Sequence, residues 1–177
     1  MGRVVRAATK VFGRTPQAAP SGRGWGLACG VDSGTYVAVA VEVKVDRGRG
    51  TVSVERVVCA QDMGLVVNPE GATMQVEGCI TMGLGYVLSE ELRFSGGQML
   101  DENFDTYEIP RFSWLPRIET ILVSNDALAP QGGGEPAIVP MGGAIANAVF
   151  DATGARLYRL PVTPERMQAA LRSHRAS

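Results

Sequence analysis

Valines recur at every second position in the segment 34–45, and small or polar residues fill the positions between them. Such alternation predicts a β-strand with one buried face. The alternating valines are Val37, Val39, Val41, Val43 and Val45. Residues 51–59 alternate again, and the Arg-Gly-Arg-Gly sequence at 47–50 between the two segments is typical of a turn. The two segments therefore predict an antiparallel hairpin.

Four other segments have the apolar spacing of a helix. The first covers residues 4–12, and the second covers 68–92, where Asn68 and Pro69 are typical of an N-cap and a first helical residue. The side chains predicted to share one face of the second helix are Ile80, Leu84, Val87, Leu88 and Leu92. Residues 144–152 form the third helix, which Gly154 would end, and Thr163-Pro164 opens the fourth.

The remaining segments complete an α+β fold. Residues 95–98 have the composition of a turn, 101–116 of an extended connection and 118–124 of a strand. The pattern predicts an antiparallel or mixed sheet with helices packed on it. We divide the chain into an N-terminal helix and connector at 1–24, with Pro, Gly and Ser concentrated from residue 15 onwards, and a domain at 25–177.

Composition excludes several kinds of function. The chain has 177 residues, with 17 Lys and Arg against 18 Asp and Glu, so a nucleic acid is not expected as a partner. No apolar run approaches the roughly 20 residues of a membrane span. The single histidine, His174, leaves no base for serine or cysteine catalysis and no multi-histidine metal site. The three cysteines, at 29, 59 and 79, form no C-x-x-C pair and are interpreted as reduced, packed thiols.

Two glycine-rich segments are candidates for a binding site. The second predicted helix contains Gly78, Gly83 and Gly85, and each interior glycine costs about 0.5 to 1 kcal/mol relative to alanine. Either close packing or the approach of a ligand would explain them, and the sequence does not separate the two. Neither this helix nor the loop at 132–134 completes a P-loop or a G-x-G-x-x-G motif, which argues against a nucleotide site of either kind.

Glu135 is the acid with the most suggestive position. It follows three glycines, whose backbone N–H groups can face a ligand, and it precedes a proline that restricts its backbone. A carboxylate shielded from water on such a loop would have its pKa raised into the range of a general base. The alternative is an ordinary surface glutamate. Gln75, near the start of the second helix, offers a donor and an acceptor to a ring or an oxo group, unless it is a solvated helix amide.

Several short motifs, taken in order, resemble the molybdopterin-binding subunits of the xanthine dehydrogenase and aldehyde oxidase family, and within it the bacterial isoquinoline 1-oxidoreductase beta subunits. The first group is Gly24-Trp25-Gly26-Leu27-Ala28, Asp62-Met63-Gly64, Asn68-Pro69, Gln75-Val76-Glu77-Gly78, Met82-Gly83-Leu84-Gly85 and Glu90-Glu91-Leu92. The second group is Gly134-Glu135-Pro136, residues 144–149, Ala152-Thr153-Gly154 and Leu160-Pro161. The resemblance covers the chain from about residue 22 onwards and matches only the C-terminal segment of those subunits.

The resemblance implies a fold and a chemistry. The fold would be that of the C-terminal molybdopterin-binding domain of molybdenum hydroxylases, which oxidise aldehydes or N-heteroaromatic compounds with oxygen from water. Glu135 would be the catalytic base, and Gln75, Gly133 and Gly134 would line the cofactor pocket. The cofactor would be molybdopterin-bound molybdenum, as the cytosine dinucleotide. An upstream molybdopterin-binding region and a 2Fe-2S subunit with the iron–sulfur clusters would complete a cytoplasmic enzyme, or a periplasmic one where an export signal lies upstream.

A second hypothesis belongs to a different class of function. The chain lacks the upstream cofactor-contacting loops of the longer subunits, so it is also consistent with a non-catalytic fragment or scaffold domain that keeps the fold and binds a partner subunit. An acid on a triple-glycine loop together with Gln75 favours the catalytic hypothesis, because a scaffold has no physical need for that combination.

Overall fold

The computed structural model describes residues 1–13 and 22–176, so residues 15–21 of the predicted connector lie outside the described part. The strands are β1 (Arg23–Asp32), β2 (Thr35–Asp46), β3 (Thr51–Asp62), β4 (Phe94–Ser95), β5 (Gln98–Met99) and β6 (Arg117–Leu122). The helices are α1 (Gly2–Phe12), α2 (Pro69–Leu88), α3 (Met141–Thr153) and α4 (Pro164–Ala176), with 3₁₀ helices at Phe112–Trp114 and Pro136–Ile138. The predicted α+β class is confirmed, whereas the division at residue 24 stays a prediction.

The main sheet is mixed, with the strand order β1-β2-β3-β6. The predicted hairpin is confirmed as the antiparallel pair β2–β3, whose register shifts once, between Glu42 and Val43. β6 lies parallel to β3 and begins and ends slightly earlier than the predicted strand 118–124. β4 and β5 form a small separate hairpin around the predicted turn.

Both faces of the sheet are covered, so the prediction that β2 has one buried face is wrong. The valines of β2 face a core shared with α2, α3 and α4. Ala38 and Ala40, on the opposite face, are fully buried against α1, whose Val4, Ala8 and Phe12 form a second core. The small alanine side chains allow that helix to lie close to the strands, and the sequence pattern of β2 alone did not reveal the helix that covers them.

β1 is a strand that the sequence analysis missed, since its glycines are uncommon in strands. Gly24 and Gly26 face α3 directly. A Cβ at Gly24 would lie 2.8 Å from the Cα of Ala152, and one at Gly26 would lie 3.0 Å from the carbonyl carbon of Asn147. The two glycines therefore bring the backbone of β1 against the backbone of α3.

α2 begins as predicted and ends earlier than predicted. The Asn68 side chain accepts a hydrogen bond from the N–H of Gly71, at 2.9 Å, which makes it the N-cap. The N–H groups of Ser89 and Glu90 both donate to the carbonyl of Gly85, so the helix closes at Leu88. Leu92 lies beyond the helix and is 54% exposed, so its predicted place on the buried face is wrong.

The segment after α2 runs along the surface, as predicted, and carries several exposed aromatic side chains, of which Phe112 is 94% exposed. One residue that anchors the segment is Asp101, which is buried and accepts hydrogen bonds from the backbone N–H of Arg93 and from its guanidinium, both at 2.6 Å. Among the described residues, no helix is both long enough and apolar enough to span a membrane.

Candidate functional site

The loop that carries the candidate base is fixed at the ends of two strands. Gln131 N–H donates to the carbonyl of Met63 at 2.8 Å, and Gly132 N–H donates to the carbonyl of Ser33 at 3.0 Å. The Thr35 hydroxyl donates to the Gly132 carbonyl at 2.6 Å. These bonds secure the loop against the β1–β2 turn and the segment after β3.

One bond joins the two parts of the predicted site. The side-chain Nε2 of Gln75, on α2, donates to the carbonyl oxygen of Gly134 at 2.7 Å. Gly133 lies beside Met63, since a Cβ there would be 3.1 Å from the Met63 Cε. The structure thus places Gln75 against Gly134, one residue before Glu135.

Glu135 is the N-cap of the 3₁₀ helix Pro136–Ile138, and its carbonyl accepts a hydrogen bond from Ile138 N–H at 3.0 Å. Pro136 is buried, which fixes the chain on the other side of the glutamate. The Glu135 side chain is exposed, so the shielding from water that the sequence analysis required is not provided by the described part of this chain. Any shielding would have to come from outside the described residues, for example from a bound group or from further polypeptide.

The glycines of α2 and Gly134 fall into two groups, according to what a Cβ added at each position would contact. Gly83 packs on Met141, and Gly85 packs on Glu90 and Pro110, so close packing explains both. A Cβ on Gly78 or on Gly134 would meet no described atom within 4 Å, and both residues are exposed. Packing within the described chain does not require glycine at these two positions, whereas a group that approaches the backbone from outside would. The residues present therefore fit one wall of a site for a large cofactor.

Cys79 belongs to the site, and the sequence analysis missed it. Its Sγ donates to the same Gly134 carbonyl at 2.9 Å. The signal was available in the sequence, because residues four apart lie on one face of a helix and Cys79 follows Gln75 at that spacing. Burial, and secondarily the nearby Glu135 carboxylate, raises the pKa of the Cys79 thiol, so it is protonated at neutral pH and can donate.

The other two cysteines differ in burial. Cys59 is fully buried, and burial raises the pKa of its thiol to about 12. Cys29 is exposed, so its prediction as a packed thiol is wrong. Cys29 lies on the same face of β1 as Trp25 and Leu27, which pack beside the core formed with α1, but Cys29 itself is not part of that core.

Gln61 is a further polar residue that the sequence analysis missed. Its side chain is fully buried in β3, and neither its amide nitrogen nor its amide oxygen has a hydrogen-bond partner among the described residues. Gln61 shares a strand face with Cys59, which belongs to the core that includes the buried side chains of α2, so Gln61 lies on the α2 side of the sheet.

A recess of about 570 Å³ lies elsewhere, between β3, the end of α2 and the surface segment. None of its lining residues belongs to the loop 131–135 or to the first two turns of α2, so its size does not bear on the site. In the described ranges 1–13 and 22–176, no three His, Cys, Asp or Glu side chains are grouped to hold a metal ion. Any metal at this site would need ligands from a bound cofactor or from other polypeptide.

Comparison with known proteins finds one matching family and several relatives. The family described as "Molybdopterin cofactor-binding domain" matches residues 30–116, a stretch that includes Gln75 but not Glu135. A nicotinate dehydrogenase subunit of Pseudomonas putida is 41% identical over 136 residues, which are 77% of this chain and 12% of the relative. The beta subunit of isoquinoline 1-oxidoreductase from Brevundimonas diminuta is 36% identical over 91% of this chain and 21% of the relative.

The fold is shared with solved structures. Quinoline 2-oxidoreductase from Pseudomonas putida 86 superposes with a TM-score of 0.73 at 26% identity, over 78% of this chain and 19% of that one. The chain thus spans between one eighth and about one fifth of the length of these proteins.

Proposed function

Because this chain belongs to the molybdopterin-binding proteins of the xanthine dehydrogenase family, we propose that it forms one wall of the active site of a molybdenum hydroxylase. The proposed substrates are aldehydes or N-heteroaromatic compounds, and the oxygen inserted comes from water. The observation that carries the proposal is the hydrogen bond from Gln75 to Gly134, which brings the amide and the Glu135 loop together beside open backbone.

We assign one role to each site residue. Glu135 accepts a proton at its carboxylate from the oxygen that attacks the substrate carbon. Gln75 uses Nε2 to hold the loop, and its Oε1 has no partner among the described residues and is available to accept a bond from a pterin N–H. The exposed backbone of Gly134, with that of Gly133, gives the cofactor a surface without side chains. The molybdenum cofactor, proposed as the cytosine dinucleotide, supplies the two-electron redox chemistry when bound.

The complete activity requires further polypeptide, since the chain spans only 12% to 21% of its curated relatives. We propose an upstream molybdopterin-binding region, which would cover the exposed Glu135, and a 2Fe-2S subunit that removes the electrons. We also propose a cytoplasmic location, supported by three free cysteines, or a periplasmic one where an export signal lies upstream.

Substitution of the proposed base tests the catalytic role. In the assembled enzyme, Glu135→Gln should lower turnover by about 10² to 10⁴ while molybdenum content stays at the wild-type level, because only the proton acceptor is lost. Glu102→Gln is the matched control, since Glu102 is an exposed glutamate outside the site. Wild-type turnover in Glu135→Gln would contradict the assignment.

The exposure of Glu135 favours a second candidate, a scaffold domain that keeps the fold and binds only a partner subunit. Molybdenum and pterin analysis separates the two. The chain is purified alone and after co-expression with the upstream polypeptide. Cofactor in the co-purified complex supports the catalytic proposal, whereas none in either sample contradicts it and leaves the scaffold.

A further inference from the structure

The carbonyl of Gly134 accepts hydrogen bonds from two side chains. Gln75 Nε2 lies 2.7 Å and Cys79 Sγ lies 2.9 Å from its oxygen, and both side chains come from one face of α2. A carbonyl oxygen has two lone pairs, so the two donors use its full capacity. We call this arrangement the Gly134 clamp.

We propose that Cys79 is a positioning residue, which together with Gln75 fixes the peptide group from which Glu135 projects. The catalytic meaning of this role rests on the proposed function of Glu135, whereas the positioning itself does not.

Burial makes a thiol an effective donor at this position. Cys79 is only 4% exposed, so water has little access to compete for the bond. The raised pKa of the thiol keeps the proton on sulfur at neutral pH, and a thiolate could not donate. Val76 and Ile80, which flank the clamp residues on α2, are fully buried, so the helix itself provides a rigid support.

The clamp holds the Gly134 carbonyl, which lies in the part of the loop between Gly132 and Glu135 to which the other hydrogen bonds of the described residues do not extend. Upstream, Gly132 is held by Ser33 and Thr35. Downstream, the Glu135 carbonyl is held by Ile138. The Gly134 carbonyl lies between these anchors, and without the clamp its peptide group could rotate and reorient the Glu135 side chain.

Amide hydrogen exchange in the 177-residue chain, resolved by residue with NMR, tests the proposal. The variants are Cys79→Ala, which removes the donor, and Cys79→Ser, which keeps one. Cys59→Ala is the control for loss of a buried thiol outside the clamp. We expect Cys79→Ala to accelerate exchange of the Gly132 and Ile138 amides by about 2- to 12-fold, as the loss of one ordinary hydrogen bond implies, and Cys79→Ser to restore most of the protection.

Three outcomes would overturn the proposal. One is unchanged exchange in Cys79→Ala, and another is equal acceleration in the Ala and Ser variants. The third is acceleration spread equally over α2 and the sheet, as in Cys59→Ala, since that would indicate a packing role.

Infrared spectroscopy gives an independent readout. The difference spectrum between wild type and Cys79→Ala isolates the S–H stretching band of Cys79. Hydrogen bonding should lower its frequency relative to the unfolded chain, and an equal frequency would count against the clamp.

The same variants separate this inference from the proposed function. Wild-type turnover of Glu135→Gln in the assembled enzyme would remove the catalytic role and leave the exchange result standing. Unchanged exchange in Cys79→Ala would remove the positioning role and leave the role of Glu135 standing.

Discussion

Alanine substitutions at Gly132 and Gly134 should have opposite effects on stability, although the two residues lie in one loop. A Cβ at Gly132 would overlap the Ser33 side chain, whereas a Cβ at Gly134 would contact nothing in the described chain. Neither residue has a positive φ, so alanine brings no backbone strain at either position. The difference between the variants therefore measures packing alone.

The expected magnitudes follow from the contacts. To relieve the overlap at Gly132, the loop must move away from the turn, which costs about 1 to 3 kcal/mol for overpacking. The movement also weakens the bonds of Gly132 with Ser33 and Thr35, worth about 0.5 to 1.5 kcal/mol each. We expect Gly132→Ala to lose about 2 to 4 kcal/mol of unfolding free energy. Gly134→Ala should lose none and gain up to about 1 kcal/mol, because alanine restricts the unfolded chain.

Equilibrium urea unfolding of the chain measures both values, with the fluorescence of Trp25, which packs against Phe12, as the signal. A loss above about 1 kcal/mol in Gly134→Ala, or no loss in Gly132→Ala, would refute the reasoning from packing. The functional consequence appears in the assembled enzyme. If an outside group approaches the backbone at Gly134, the alanine variant should lower molybdenum content although the domain itself is as stable as wild type.

Two further predictions concern stability. Asn68→Ala should lower the free energy of unfolding by about 1 kcal/mol, because α2 loses its N-cap, whereas Asn68→Asp should keep the bond to Gly71 N–H. Urea unfolding of both variants measures the two losses. Equal losses would contradict the assignment of Asn68 as the N-cap. The bond from Arg93 lowers the pKa of the Asp101 carboxyl, so this pair should stabilise the fold above about pH 4 and lose that effect as the pH falls further. Unfolding free energy measured from about pH 6 to about pH 2 should therefore fall more steeply in wild type than in Arg93→Met, and parallel curves would count against the pair.

The sequence predicted the elements that carry a strong periodic signal. The alternating valines of β2 and the Asn68-Pro69 start of α2 are examples, since both depend on local chemistry. β1 was missed because glycine has a low strand propensity, and Gly24 and Gly26 are explained only by the α3 backbone that packs on them. Leu92 was misplaced because the helix ends where two N–H groups share the Gly85 carbonyl, which no periodicity reveals.

The candidate site was also predictable only where local sequence carries the signal. Glu135 and Gln75 stand out through their neighbours in the sequence, but their contact through Gly134 depends on how the loop is anchored at Met63 and Ser33. Cys79 was interpreted as a packed thiol. Its spacing from Gln75 places the two side chains on one helix face, but only the structure shows the Gly134 carbonyl to which both donate. The two kinds of glycine, packed at Gly83 and open at Gly78, are also distinguished only by tertiary contacts.

Position and environment are separate requirements for a general base, and the described residues would meet only the first for the proposed base Glu135. The bonds on either side of Glu135 fix its backbone without any contribution from outside the chain. The side chain of Glu135 is exposed to water in the described part of the chain. The polypeptide or cofactor that covers Glu135 would therefore supply the environment that tunes the acid. Under the proposed function, this division would explain how the domain holds Glu135 in place and still depends on assembly for activity.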